Sequence, residues 1–117
     1  MQIKFEDMVT ALIKPGIDIL ATLTPESVNL WHLGTGVGGE AGELLDAIKK
    51  YVAYNKPLDR ENVIEELGDL MFYMEGIMQA INVSRDEVVA FNIQKLGKRY
   101  AQGYSDRAAQ ERADKND

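Results

Sequence analysis

The chain has 117 residues, 45% of them hydrophobic and 27% charged, with a formal net charge of −6 and no cysteine. This length suits one domain with one core, and the missing thiols exclude disulfide and thiolate chemistry. The acidic balance argues against a nucleic-acid polymer as partner, which requires basic surface, and there is no apolar run of the roughly 18 residues a membrane span needs.

Apolar spacing is helical throughout, and Asn-Gly hairpin signals are absent. A first short helix is predicted from Phe5 to about Lys14, with Phe5, Met8, Val9 and Leu12 on one side, ended by Pro15-Gly16. Residues 17–23 are apolar and read equally as helix or extended chain. Thr24-Pro25-Glu26 starts a long helix, with a capping hydroxyl, proline at the first helical position and an acid in the first turn. It runs to about Tyr54, where Lys56-Pro57 breaks it. Asp59 caps the next helix, about Arg60 to Ile81, and Ser84-Arg85-Asp86-Glu87 is a capping box opening another to about Tyr100. The expectation is an all-α unit, a four- to five-helix bundle over residues 1–105, followed by a polar tail at 106–117.

The acids of the two long helices carry the chemistry. At 100° per residue, Glu40 and Glu43 lie about 60° apart, one turn from each other, with His32, Gly36 and Gly39 on the same side. Gly34, Gly38 and Gly42 form a separate stripe that would admit a close helix neighbour, whereas Gly36 and Gly39 are expected to clear space before the carboxylates. On the following helix, Val63, Leu67, Leu70, Met71, Met74, Ile77 and Met78 make an apolar core face, and Glu66, Asp69 and Tyr73 lie along its edge with Asn62 nearby. A short loop at 55–59 folds the two helices back to back and sets Glu40 and Glu43 against Glu66 and Asp69. One such acidic pair is ordinarily a solvated face; two, each bordering an apolar stripe, point to a shared site. Converging carboxylates repel and are costly to desolvate unpaired. A hard divalent cation removes that cost, and all-oxygen ligation favours Mg²⁺, with Mn²⁺ as substitute. Downstream, Asn92, Lys95 and Arg99 share one face, an amide and cationic complement to a polyphosphate.

Three blocks, HLGTGVGGEAGELLDAIKKYV, NKPLDRENVIEELGDLMFYM and NIQKLGKRYAQGY, stand in order at fitting distances. Together they resemble the MazG-like all-α nucleoside triphosphate pyrophosphohydrolases, in particular the small single-domain members of phages and bacteria. The resemblance spans about residues 28–105. It implies Mg²⁺-dependent cleavage of a (deoxy)nucleoside triphosphate to the monophosphate and pyrophosphate, in a dimer or tetramer. The cytoplasm (the host's, if a phage encodes the chain) is expected separately, from the missing cysteines and membrane span and from an N-terminus, MQIKFEDMV, without the apolar core of a secretory signal. The resemblance also bears on single residues. It carries the family's metal acids onto Glu40, Glu43, Glu66 and Asp69, while Gly39 stands where the family has a leading acid. Glu40 or Glu43 is then expected to orient or deprotonate the attacking water. Tyr73, Asn92, Lys95, Arg99 and Tyr100 match positions of nucleotide contact, and Lys50 and Lys56 are further candidates for the phosphates. Trp31, His32 and Asn62 are candidates, with Tyr73, for sugar or base. The competing class is a non-catalytic helical oligomerisation module using the glycine stripe and Phe72, with the acids merely wet. A carboxylate-bridged di-iron bundle is disfavoured because the only histidine, His32, does not follow a glutamate by three residues.

Overall fold

The computed structural model describes residues 2–112. Six helices run in order: α1 Phe5–Leu12, α2 Gly16–Thr22, α3 Pro25–Ala53, α4 Arg60–Ala80, α5 Arg85–Arg99 and α6 Asp106–Glu111. No strand occurs among the described residues, so the chain is all-α as expected. The apolar stretch 17–23, ambiguous in sequence, is largely helical, and part of the polar tail forms α6. The tail residues 113–117 lie outside the described residues.

Local chemistry places the helix starts where the sequence puts them. The Thr24 hydroxyl accepts from the Ser27 amide at 3.1 Å, and the Ser27 hydroxyl accepts from the Thr24 amide at 2.9 Å. This reciprocal box sits before Pro25, whose missing N–H would have had no helical partner in any case. Asp59 accepts from the Asn62 amide at 3.1 Å and opens α4. Ser84 and Glu87 cap α5 in the same reciprocal manner. The chain leaves α3 through Asn55 and α4 through Asn82, both with positive φ, a conformation asparagine tolerates better than most residues.

The long helices α3 and α4 form an antiparallel hairpin, the one extensively packed pair of elements among the described residues. Its register can be read from close approaches. Gly76 faces Leu33, Gly36 carries the ring of Tyr73, and Glu40 and Glu43 meet Glu66. Each step up α3 is matched by an equal step down α4. The residues withdrawn from solvent on α3 are Leu33, Gly36, Val37, Glu40, Leu44 and Ala47; on α4 they include Val63, Glu66, Leu70, Tyr73 and Ile77. That alternation of threes and fours is the seam of two helices packed side by side.

A single chain does not enclose a core. Ala47 at 6% exposure and Glu66 at 9% are the two buried residues among those described. The radius of gyration is 20.0 Å, against about 13 Å for a compact domain of this length. Met71 and Met74, expected in the core, are exposed within one chain, and Met78 is half-buried. The reason is that α4 presents apolar residues over a wider arc than α3 covers. Phe72, Trp31, Phe91 and Ile93 are likewise exposed.

Candidate functional site

At the middle of the hairpin seam, where packing calls for apolar side chains, the sequence has acids. Glu40 and Glu66 occupy seam positions and Glu43 stands one turn further along α3 at the seam's edge. A carboxylate oxygen from each of the three lies within 4.8 Å of the others. One oxygen of Glu40 and one of Glu66 are buried without a hydrogen-bond donor. Burial is the main influence that pushes the Glu66 carboxyl up from its ordinary 4.5 to about 7, followed by a hydrogen bond with Glu40 and the charges of Glu43 and Glu40. A proton on Glu66 is the donor that would otherwise be missing. The trio thus favours holding a proton near neutrality, because burial and the adjoining carboxylates oppose a further negative charge on Glu66.

The donor set fits a hard divalent cation. It consists of carboxylate oxygens alone, close enough to converge, with two of them buried and unsatisfied. A cation there would satisfy the orphaned oxygens and displace the shared proton.

Beside the trio opens a cavity of about 480 Å³, lined by Gly39, Gly42, Glu43, Asp46, Lys50, Asn62 and Glu66. Side chains built at Gly39 and Gly42 would meet nothing within 4 Å, so these glycines keep the α3 wall open. Gly36 acts differently from the expectation that it clears room before the acids. A Cβ there would lie 2.3 Å from the Tyr73 ring, so Gly36 is the socket for Tyr73. The Tyr73 ring meets His32 edge-on at 6.3 Å between centroids and Phe72 at 5.3 Å. Gly34, Gly38 and Gly42 have no neighbour within 4 Å of such a Cβ, so the stripe is uncovered in one chain.

The other candidates fall into three places. Asp69, one turn beyond Glu66 on α4, is exposed and lies outside the converging trio. His32 and Tyr73 sit together toward the Gly36 end, whereas Trp31, next to His32, is 64% exposed. Asn62 lines the cavity at the opposite end. Asn92, Lys95, Arg99 and Tyr100 belong to α5 and its cap and do not line that cavity. Arg99 instead reaches over the Tyr100 ring, 6.0 Å from its centroid, and borders a cleft at the α5–α6 junction with Lys98 and Arg107. Asp46 and Lys50, paired at 3.1 Å, continue the acidic edge of α3 along the cavity. Spacing could have indicated Asp46: it follows Glu43 by three residues, as Glu43 follows Glu40.

Residues 32–103 match the sequence model of the MazG nucleotide pyrophosphohydrolase domain, more than half of the chain. Comparison with the curated proteins and with the solved structures returned no match. No helix among the described residues is long and apolar enough to cross a membrane.

Proposed function

This chain belongs to the MazG nucleotide pyrophosphohydrolase family, and we propose on that premise that it hydrolyses a (deoxy)nucleoside triphosphate to the monophosphate and pyrophosphate with Mg²⁺, which Mn²⁺ can replace. The observation that carries this reading is the carboxylate trio in the helix seam, with buried oxygens that lack donors. Glu40, Glu43 and Glu66 are assigned as ligands, with the exposed Asp69 as the fourth. A cation bound there supplies Lewis acidity, drawing charge from phosphate oxygens and making a nearby water more acidic.

The chain's own groups do the rest. Glu43 lines the cavity and is assigned to orient the attacking water and take its proton, with the half-buried Glu40 as its alternate. The water oxygen adds to the α-phosphorus, the bond from that phosphorus to its bridging oxygen breaks, and pyrophosphate leaves with the electron pair. His32, Trp31, Asn62 and Tyr73 are assigned to sugar or base.

A homo-oligomer, dimer or tetramer, is part of the reading. A loose single chain with large exposed apolar side chains supports it. So does the position of Asn92, Lys95, Arg99 and Tyr100 outside the carboxylate cavity of their own chain: we assign them to the phosphates of a site on a neighbouring copy. The test is a panel of canonical and damaged (d)NTPs with Mg²⁺, scored for monophosphate and pyrophosphate. The expected result is Mg²⁺-dependent release that Glu43→Ala and Asp69→Ala abolish. Full turnover by either variant would refute the assignment. No metal binding at millimolar Mg²⁺ or Mn²⁺ would favour an interaction module instead.

A further inference from the structure

Beyond the carboxylates, the groove continues toward the hairpin tip. A second cavity of about 310 Å³ adjoins the first, and the two share Lys50 and Asn62 in their walls. Lys56, from the loop between α3 and α4, lines the second cavity. Lys50 follows Glu43 by seven residues, two turns of α3 or about 10 Å. The groove therefore has chemical polarity. Acids occupy its middle, and its tip has two lysines, the Asn62 amide and Asp59, whose carboxylate is engaged in capping α4; the packed rings of His32 and Tyr73 lie the other way along the hairpin seam, outside the walls of both cavities.

Resting on the function proposed above, we infer that the hairpin tip is the leaving-group subsite: Lys50 and Lys56 hold the β- and γ-phosphates together with Asn62, which this orientation moves from the sugar or base to the phosphates, and the nucleoside extends toward Tyr73. Charge decides the orientation. The departing pyrophosphate is the most highly charged part of the substrate, and ammonium groups bind phosphate as point charges. The nucleoside is neutral and has no need of two cations. Asp46 holds Lys50 at 3.1 Å in the free protein, with both side chains more than half exposed. Such a pair is weak, so Lys50 can leave Asp46 for a phosphate at little cost.

The test uses the two products as separate probes of the two halves. Lys50→Gln/Lys56→Gln is compared with the unmodified full-length protein, using the (d)NTP it cleaves best. The inhibition constant of inorganic pyrophosphate is expected to rise tenfold or more in the variant, while that of the matching nucleoside monophosphate stays within about twofold. Calorimetric titration of pyrophosphate in Ca²⁺ should show the same loss independently of turnover, and Lys50→Arg/Lys56→Arg should largely restore it. If Lys50 served only the carboxyl end of α3, its loss would lower the melting temperature and leave pyrophosphate affinity unchanged, overturning the subsite. Weakening of the monophosphate alone, or of both products equally, would overturn the orientation. Absence of turnover by the unmodified protein would overturn the proposed function and this subsite with it, whereas turnover with unaltered pyrophosphate inhibition would overturn the subsite alone.

Discussion

Gly36→Ala tests whether the hairpin is built around the Tyr73 ring. The new methyl carbon would lie 2.3, 2.5 and 2.6 Å from three ring carbons, so the ring must move. It cannot do so freely, because His32 and Phe72 flank it. Overpacking of this kind costs about 1–3 kcal/mol, against a gain of about 1 kcal/mol from replacing glycine by alanine in a helix. Gly68→Ala on the same hairpin is the reference, since its Cβ meets nothing within 4 Å and only the helix gain remains. The propensity gain is common to both, so the difference between the variants isolates the contact at about 1–3 kcal/mol. Urea unfolding at matched protein concentrations measures it, with Gly36→Ala giving the lower midpoint. In a Tyr73→Ala background the penalty should vanish and Gly36→Ala should stabilise. Equal midpoints for Gly36→Ala and Gly68→Ala in the unmodified background would refute the socket and the register derived from it.

Glu66 sets a pH dependence. Its carboxyl is raised from 4.5 to about 7 in the folded protein, so the native state binds the extra proton; metal-free stability is highest below about pH 4.5 from this group and is lost as pH rises through 7. Melting temperatures across pH 5–8 without metal should fall in the unmodified protein and flatten in Glu66→Gln. Mg²⁺ should oppose the trend, stabilising the protein more at pH 8 than at pH 6 and releasing protons when titrated at pH 6, which calorimetry in buffers of different ionisation enthalpy detects. Phe72→Glu places a charge on a side chain 70% exposed in one chain; light scattering should show a smaller assembly if that face is covered by a second copy. Mixing inactive Glu43→Ala and Arg99→Ala proteins should restore part of the turnover if α5 serves a neighbour's site, and no recovery would place both groups in one chain's site.

Helix existence and helix ends were legible in the residues because they depend on neighbours a few positions apart. Thr24 with Ser27, Asp59 with Asn62, and Ser84 with Glu87 carry their capping hydrogen bonds wherever the helices are placed. The convergence of Glu40, Glu43 and Glu66 followed from helical angles plus one short loop, so it too could be anticipated, whereas Asp69, expected with them, lies outside the trio. The role of Gly36 could not, because periodicity gives the face a glycine occupies and not the ring that fills it. Tyr73 reaches Gly36 only once the hairpin register is set. For the same reason the apolar stripe of α4 was read as core, although Met71 and Met74 stay exposed in one chain. An apolar arc records that a surface must be covered, and only packing decides by what. The sequence alone thus determined the helices and their charged edges, through short-range hydrogen bonding and the fixed pitch of the backbone. The tertiary structure decided which oxygens lose their water, where the groove runs and how much apolar surface one chain leaves open, because desolvation depends on contacts between residues distant in sequence.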